Sequence, residues 1–240
     1  MRFTEEHEAL RRTTRQFVEN DVNPHVDAWE AAGRFPAHEL FRKMGENGYL
    51  CADVPDAYGG PGASVPFSFA VVEVLSRRGY GGFVGGLQVH NDIIPPYLLH
   101  CGTEAQRQYW LPRMASGEAI AAIGMTEPGA GSDLKAIRTT ARREGDEYVV
   151  NGAKTFISNG LNCDLVVVVA KTDPEAGGKG VSLLLVEADR PGFRKGRKLE
   201  KMGQEAGDTA ELFFEDVRVP ASNLLGEENL GMRYLMQELA

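Results

Sequence analysis

The 240-residue chain reads as an α+β multi-domain protein, with an all-α helical domain over residues 1–118 and an antiparallel β-barrel or sandwich over residues 119–226. Residues 227–240 begin a further helical segment. Before about residue 118, apolar residues recur at helical spacing. After it they fall into short runs separated by Gly, Asp and Asn, which is the pattern of strands. No helices alternate with those runs, and this argues against a parallel sheet.

In the first region, Thr4 caps a helix opened by Glu5 and Glu6, acidic residues being favoured at the positive end of the helix dipole. Phe67 to Arg78 and Leu87 to His100 read as helices, separated by the glycine-rich stretch Gly79-Tyr-Gly-Gly-Phe-Val-Gly-Gly86, a hinge or a site of close helix packing. Pro95-Pro96 should kink the second of these, because Pro96 lacks an N–H and both rings crowd the preceding turn. Thr103 and Gln106 form a capping box that opens Glu104 to Ser116, and Gly117 ends it. In the second region the expected strands are Ala119 to Thr126, Thr139 to Arg143, Tyr148 to Val150, Ala153 to Ser158, Leu165 to Lys171, Val181 to Glu187 and Glu211 to Val217. Asn151-Gly152 between two strand-like runs is a strong hairpin signal.

With 42% hydrophobic residues the chain can bury a sizeable core, and a net charge of −8 argues against a nucleic-acid partner. Cys51, Cys101 and Cys163 are odd in number and lack C-x-x-C spacing, so they suggest neither a disulfide framework nor a metal site. The first residues lack the apolar core of a signal peptide and no run of about 18 apolar residues occurs, so no membrane span is expected and the cytoplasm is the expected location.

The segment Ile123-Gly-Met-Thr-Glu-Pro-Gly-Ala-Gly-Ser-Asp133 carries the chemistry. Pro128 presets φ for a turn, Gly129 can take the positive φ of a type II turn, and Gly131 removes a side chain just before the hydroxyl of Ser132. Such a loop lets backbone N–H groups approach a phosphate-bearing ligand. A Walker loop is excluded by the missing Gly-Lys-Ser/Thr, and the dinucleotide fingerprint by Leu134 where its third Gly would stand. An ordinary β-turn is the alternative. On the next runs, Phe156 and Ser158 lie two apart, so strand alternation places an aromatic ring and a small hydrogen-bonding group on one face. That face suits a flat heteroaromatic ligand, and a half-buried strand with one core Phe is the alternative.

Met125-Thr-Glu-Pro-Gly-Ala-Gly-Ser-Asp133, followed by Asn151-Gly-x-Lys154-x-Phe-Ile-Ser-Asn-Gly160, resembles the acyl-CoA dehydrogenase family. The likeness extends to Phe17-Val-Glu-Asn-Asp-Val-Asn-Pro24 and to Asp208-Thr-Ala-Glu-Leu-Phe-Phe-Glu-Asp-Val-Arg-Val-Pro220, and Gly231 to Leu239 is most similar to the long-chain type. The resemblance implies that Ile123, Met125, Thr126, Gly131, Ser132, Phe156, Ile157 and Ser158 bind FAD. Met125 and Thr126 would meet the pyrimidine side of the flavin through their peptide N–H groups. Ser132 would contact both the pyrophosphate and the pantetheine arm of an acyl-CoA, and Ser158 would bond flavin N5. Phe156 and Ser158 stand where many relatives carry Trp and Thr.

The implied reaction is α,β-dehydrogenation of an acyl-CoA to the trans-2-enoyl-CoA, with an electron-transfer flavoprotein as acceptor and a homodimer or homotetramer as the assembly. The family's C-terminal helical bundle is missing, so a fragment is expected, and its catalytic base falls just beyond Ala240. Glu238 is a weak candidate for that base and reads better as a solvated helix residue. Glu127 reads as a turn-capping carboxylate, His90 and Asn91 as groups that bond backbone or line the acyl pocket, and the basic run Arg194 to Lys198 as a solvated face or a contact for CoA phosphates. A non-catalytic module holding FAD or acyl-CoA, and an oxidase-type relative using O2, are the alternatives.

Overall fold

A computed structural model describes residues 3–77 and 80–239. The helical region comprises α1 (Glu5–Phe17), α2 (Val26–Ala32), α3 (Ala37–Glu46), α4 (Val65–Ser76), α5 (Gly81–Gln88), α6 (Ile94–Cys101) and α7 (Glu104–Ala115). Both expected caps form. Thr4 is in a capping box whose reciprocal partner is His7, while Thr103 Oγ1 accepts from Gln106 N (3.2 Å) and Gln106 Oε1 accepts from Thr103 N (2.9 Å).

From Gly81 onward the glycine-rich stretch is helix rather than a separator, Tyr80 is its N-cap residue, and Gly79 lies outside the described residues. Its glycines allow close approach: a Cβ on Gly86 would stand 2.2 Å from Asn159 Oδ1, and one on Gly82 3.0 Å from the Ala206 methyl. Pro95 and Pro96 stand at the start of α6, inside a helical run that is unbroken from Gly81 to Cys101, and the regular α-helix gives way just before them to a five-residue π-turn, Val89–Ile93.

The second region contains β1 (Ala121–Gly124), β2 (Thr140–Glu144), β3 (Glu147–Ile157), β4 (Leu165–Lys171), β5 (Val181–Glu187), β6 (Phe193–Lys198), β7 (Ala210–Pro220) and β8 (Leu224–Leu225), followed by α8 (Gly231–Glu238). The sheet order is β6-β7-β3-β2-β4-β5-β8, with β1 alongside β4. Pairing is antiparallel except where β4 meets β1 and the end of β2. β6 was hidden in the basic run: Arg194 and Arg197 face solvent, whereas Lys195 turns inward and donates to the carbonyls of Leu161 (2.9 Å) and Cys163 (2.6 Å).

Asn151-Gly152 is not a hairpin turn. β3 runs straight through it, and the hairpin to β2 closes instead at Gly145-Asp146, between the paired residues Glu144 and Glu147. Gly145 has φ 63° while Asp146 has no positive φ, which is what a turn with Gly at its first central position requires. Gly152 sits at a β-bulge against β7, with φ 151°, and a Cβ there would lie 2.4 Å from Thr139 Oγ1. Asn151 fills the bulge by bonding Asp216, its Nδ2 donating to Oδ1 (3.0 Å) and its Oδ1 accepting from Asp216 N (2.9 Å).

The β4 and β5 strands lie between two apolar clusters. Leu165, Val167 and Val169, with Leu183 and Leu185, share a cluster with Phe41, Leu87, Ile94 and Leu98 of the helices. Val166, Val168 and Ala170 face the opposite way, onto Tyr148, Val150, Leu212, Phe214 and Val217 of β3 and β7. Burial on both faces explains why β4 reads as a continuous run, Leu-Val-Val-Val-Val-Ala, rather than an alternating one. Each of the Val, Leu, Ile and Phe side chains among them contributes roughly 1.5–3 kcal/mol of burial free energy.

Polar clasps tie the layers together. His90 is fully buried: Nε2 lies 3.0 Å from Met114 O, so it carries the proton and donates, and Nδ1 accepts from Ala121 N (3.2 Å). Asn159 Nδ2 donates to Gly86 O (2.8 Å) and Ala121 O (3.0 Å). Gln106 reaches the carbonyls of Ser222 and Leu224. In the helical residues that begin at Gly231, Leu235 is buried and Met232 packs against the core, while Met236 and Leu239 are exposed. No described helix is long and apolar enough to cross a membrane.

Candidate functional site

β1 delivers its last residues to the surface beside the end of β3. Past Gly124 the chain remains extended, and Thr126 O accepts from Thr155 N (2.9 Å). It then reverses at Pro128-Gly129, where Glu127 and Ala130 exchange both backbone bonds (2.8 and 3.1 Å). Gly129 does not take a positive φ, so the expected type II turn is absent and the geometry is one that type I permits. Two adjacent residues of β3, Thr155 and Phe156, lie across the register shift between Lys154↔Leu212 and Ile157↔Ala210. Phe156 is driven to φ 58° and its ring is 66% exposed, whereas Lys154, two residues earlier, is 1% exposed.

Strand alternation is therefore broken where the sequence reading relied on it. Phe156 and Ser158 still come together, but through the bulge and through a turn that starts at Ser158. A large exposed aromatic in the left-handed region is a strained arrangement, costing on the order of 1–3 kcal/mol, and such outliers gather at ligand sites.

These pieces enclose a groove of about 160 Å³. Its walls are Ile123, Met125 and Thr126 from the end of β1, Phe156, Ile157 and Ser158 from the end of β3, and Val89 and Ile93 from the π-turn. Gly131 and Ser132 lie outside it, exposed on the returning limb of the turn. A Cβ on Gly131 would meet only Thr126 Cγ2, at 4.0 Å, so this limb runs beside the groove without filling it. A larger cavity of about 700 Å³ lies between Trp29, Phe35, His38 and Asn162, yet no residue singled out from the sequence lines it. Convergence, not size, selects the smaller groove.

Behind the groove, charge is buried. Lys154 Nζ donates to Glu127 Oε1 (2.8 Å) and to Met125 O (3.2 Å). Glu127 also accepts from the backbone N–H of Arg138 (2.6 Å) and Thr139 (3.0 Å). Burial would raise the Glu127 pKa, but Lys154 and these donors hold it below the usual carboxylate range. Burial pulls Lys154 down to about 8, against the opposing pull of Glu127. Contrary to the sequence reading, Glu127 thus does not cap its own turn: its carboxylate is occupied by Lys154 and by the backbone leading into β2.

His90 and Asn91 bond backbone, Asn91 through Cys51 N (3.0 Å) and Tyr49 O (3.1 Å). Burial lowers the His90 pKa to about 4. Asp208 is a further organiser: its carboxylate accepts from the N–H groups of Asn159 (3.0 Å), Leu161 (3.2 Å) and Asn162 (3.0 Å), fixing the turn that follows Ser158. Glu238 is not a solvated helix residue. Its side chain is 11% exposed and accepts from His100 Nδ1 at 2.8 Å, on α8 and away from the groove lining. Val89, Ile93 and Lys154 were missed as site residues. A lone Lys inside an apolar strand was the signal for Lys154, while the π-turn left none beyond the neighbouring prolines.

The family model described as acyl-CoA dehydrogenase, N-terminal domain, matches residues 4–118, and that of the middle domain matches residues 122–217. The chain is 48% identical over 240 residues to the mitochondrial long-chain specific acyl-CoA dehydrogenase of Sus scrofa, covering 99% of this chain and 55% of that protein. The crystal structure of an acyl-CoA dehydrogenase from Geobacillus kaustophilus superposes with a TM-score of 0.95 at 52% identity, covering 99% of this chain and 62% of the other. An acyl-CoA dehydrogenase from Bacillus anthracis complexed with FAD gives a TM-score of 0.92 at 36% identity, over 99% of this chain and 40% of the other. The chain spans little more than half the length of the mitochondrial relative. On the two domain matches and this shared fold, the chain belongs to the acyl-CoA dehydrogenase family.

Proposed function

We propose that the groove receives one edge of the flavin of FAD, and that the protein serves the α,β-dehydrogenation of acyl-CoA thioesters to trans-2-enoyl-CoA. The observation that carries this reading is the strained, outward Phe156 ring beside the Met125-Thr126 segment. A planar ring laid there would have an aromatic wall, the Ser158 hydroxyl at its edge and peptide N–H donors from the extended segment. FAD, when bound, supplies the hydride acceptor. The chain's residues supply the rest: Ile123, Val89 and Ile93 exclude water from one side, and Thr126 offers a hydroxyl to ring oxygens. Ser132, exposed on the glycine-bearing limb, is free to meet phosphate oxygens and the pantetheine arm of a substrate.

Among the described residues no carboxylate lines the groove, and Glu127 is occupied, so the base that removes the α proton is to be sought outside the described lining of the site. At about 160 Å³ the groove is also smaller than the roughly 300–1,000 Å³ typical of small-molecule pockets, so a further wall would complete it. Both observations favour a second reading for these 240 residues alone: FAD binding without turnover. An electron-transfer flavoprotein as acceptor, a homo-oligomeric assembly and a cytoplasmic setting belong to the same proposal.

The test is the absorption spectrum of the purified chain after addition of FAD, followed by anaerobic addition of a medium-to-long acyl-CoA. Bound flavin that bleaches supports catalysis by this chain. Bound flavin that stays oxidised supports the binding reading, and failure to retain flavin overturns both.

A further inference from the structure

We infer that Lys154 is a positioning residue, an internal cation that orients the Met125-Thr126 peptide so that the Thr126 N–H is presented to the ligand of the groove. The inference rests on the flavin reading above for the identity of that ligand.

A trans peptide is planar, with its C=O and the following N–H pointing in opposite directions. Lys154 Nζ holds the Met125 carbonyl (3.2 Å), so the Thr126 N–H of the same peptide points away from Lys154. Thr155 N holds the Thr126 carbonyl (2.9 Å), which turns the Glu127 N–H the other way, onto Ala130 O (2.8 Å). Each neighbouring group is thereby used within the protein. Among the described residues, nothing accepts from the Thr126 N–H, and Thr126 lines the groove.

An ordinary strand would satisfy the Met125 carbonyl with a neutral amide. An ammonium there polarises the peptide and strengthens its N–H as a donor toward a partner on the far side. Isolated, such a charge would be costly in a side chain with no exposed surface. Glu127 compensates it, and Glu127 is itself fixed by the backbone N–H groups of Arg138 and Thr139. Glu127 is the charged group that faces Lys154. The pair therefore links three things: the turn at Pro128-Gly129, the direction of one peptide, and the bulge at Phe156, whose strand carries Lys154 two residues earlier.

The experiment begins without flavin. In a ¹⁵N-labelled chain titrated between about pH 6 and pH 10, the Thr126 amide resonance should move with a midpoint near the Lys154 value of about 8. The movement should vanish in Lys154→Met. A Thr126 amide that ignores both pH and Lys154→Met overturns the inference. FAD is then titrated into the same proteins. The double variant Lys154→Met/Glu127→Gln removes both charges and so avoids a lone buried ion. It is expected to bind FAD about tenfold more weakly, in keeping with loss of one charge-assisted interaction, with Lys154→Arg restoring most of the affinity. A folded double variant that binds FAD as the parent does also overturns the inference. If the parent itself takes up no flavin, the flavin reading falls, and the amide titration alone decides the role of Lys154.

Discussion

Among single residues, Phe156 and His90 show how a local departure from the ordinary is held in place. Phe156 occupies φ 58° with its ring outward, so its conformation is enforced by the bulge and not by packing of its own side chain. Phe156→Gly relieves the strain but adds backbone freedom to the unfolded chain, leaving stability unchanged or raised by roughly 1 kcal/mol. FAD binding should weaken. Urea unfolding and FAD titration of the same variant check this, and a loss of more than about 1 kcal/mol would show that the ring is structural. His90 is buried neutral, with its pKa lowered to about 4. Below the unfolded value of about 6.5 the unfolded chain binds a proton that the folded chain refuses until pH 4 is reached. Stability must therefore rise with pH between those values, and acidification across them should cost about 3 kcal/mol. Urea midpoints at pH 7 and pH 4.5 measure the slope; in His90→Gln, whose amide can still donate and accept, that part of the acid loss should disappear.

At the scale of elements, the turns and bulges decide what the sequence could and could not disclose. Asn-Gly and Pro-Gly are both strong punctuation, and neither says which backbone geometry it marks: Gly152 takes its positive φ in a bulge and not in a hairpin turn, a choice that depends on the partner strand, and Gly129 turns without a positive φ. β7 lies far along the chain, so the bulge at Gly152 was not legible locally. Caps were legible, since Thr103 and Gln106 act on each other within one turn. Most strand cores were legible too, whereas β6 was masked by its charges and the π-turn by the absence of any residue signature. Gly152→Ala should cost roughly 2–5 kcal/mol, from φ strain and the contact with Thr139, whereas Gly129→Ala, with open space around it, should change stability by less than about 0.5 kcal/mol. Thermal unfolding of the two variants side by side tests the contrast. Asp208→Ala leaves the N–H groups of Asn159, Leu161 and Asn162 without their acceptor and should cost about 1–3 kcal/mol while loosening Ser158, seen as faster amide exchange in that turn.

Considering the whole molecule, the helices and the sheet share one apolar cluster, and this makes the sheet dependent on its covering. A piece comprising residues 119–226 would expose Leu165, Val167, Val169, Leu183 and Leu185 together. It should aggregate or bind apolar dyes, and a soluble piece with a cooperative melting transition would contradict that expectation. The candidate groove lies along this same junction, with walls from the π-turn on one side and from β1 and β3 on the other. Flavin uptake should consequently raise the melting temperature of the chain as one unit, in proportion to the logarithm of ligand concentration. The strand buried on both faces also bears on heredity. In a saturation library, most solvent-facing strands forgive every second position, but β4 has no outward side, so tolerance along Leu165 to Ala170 should show no two-residue rhythm at all.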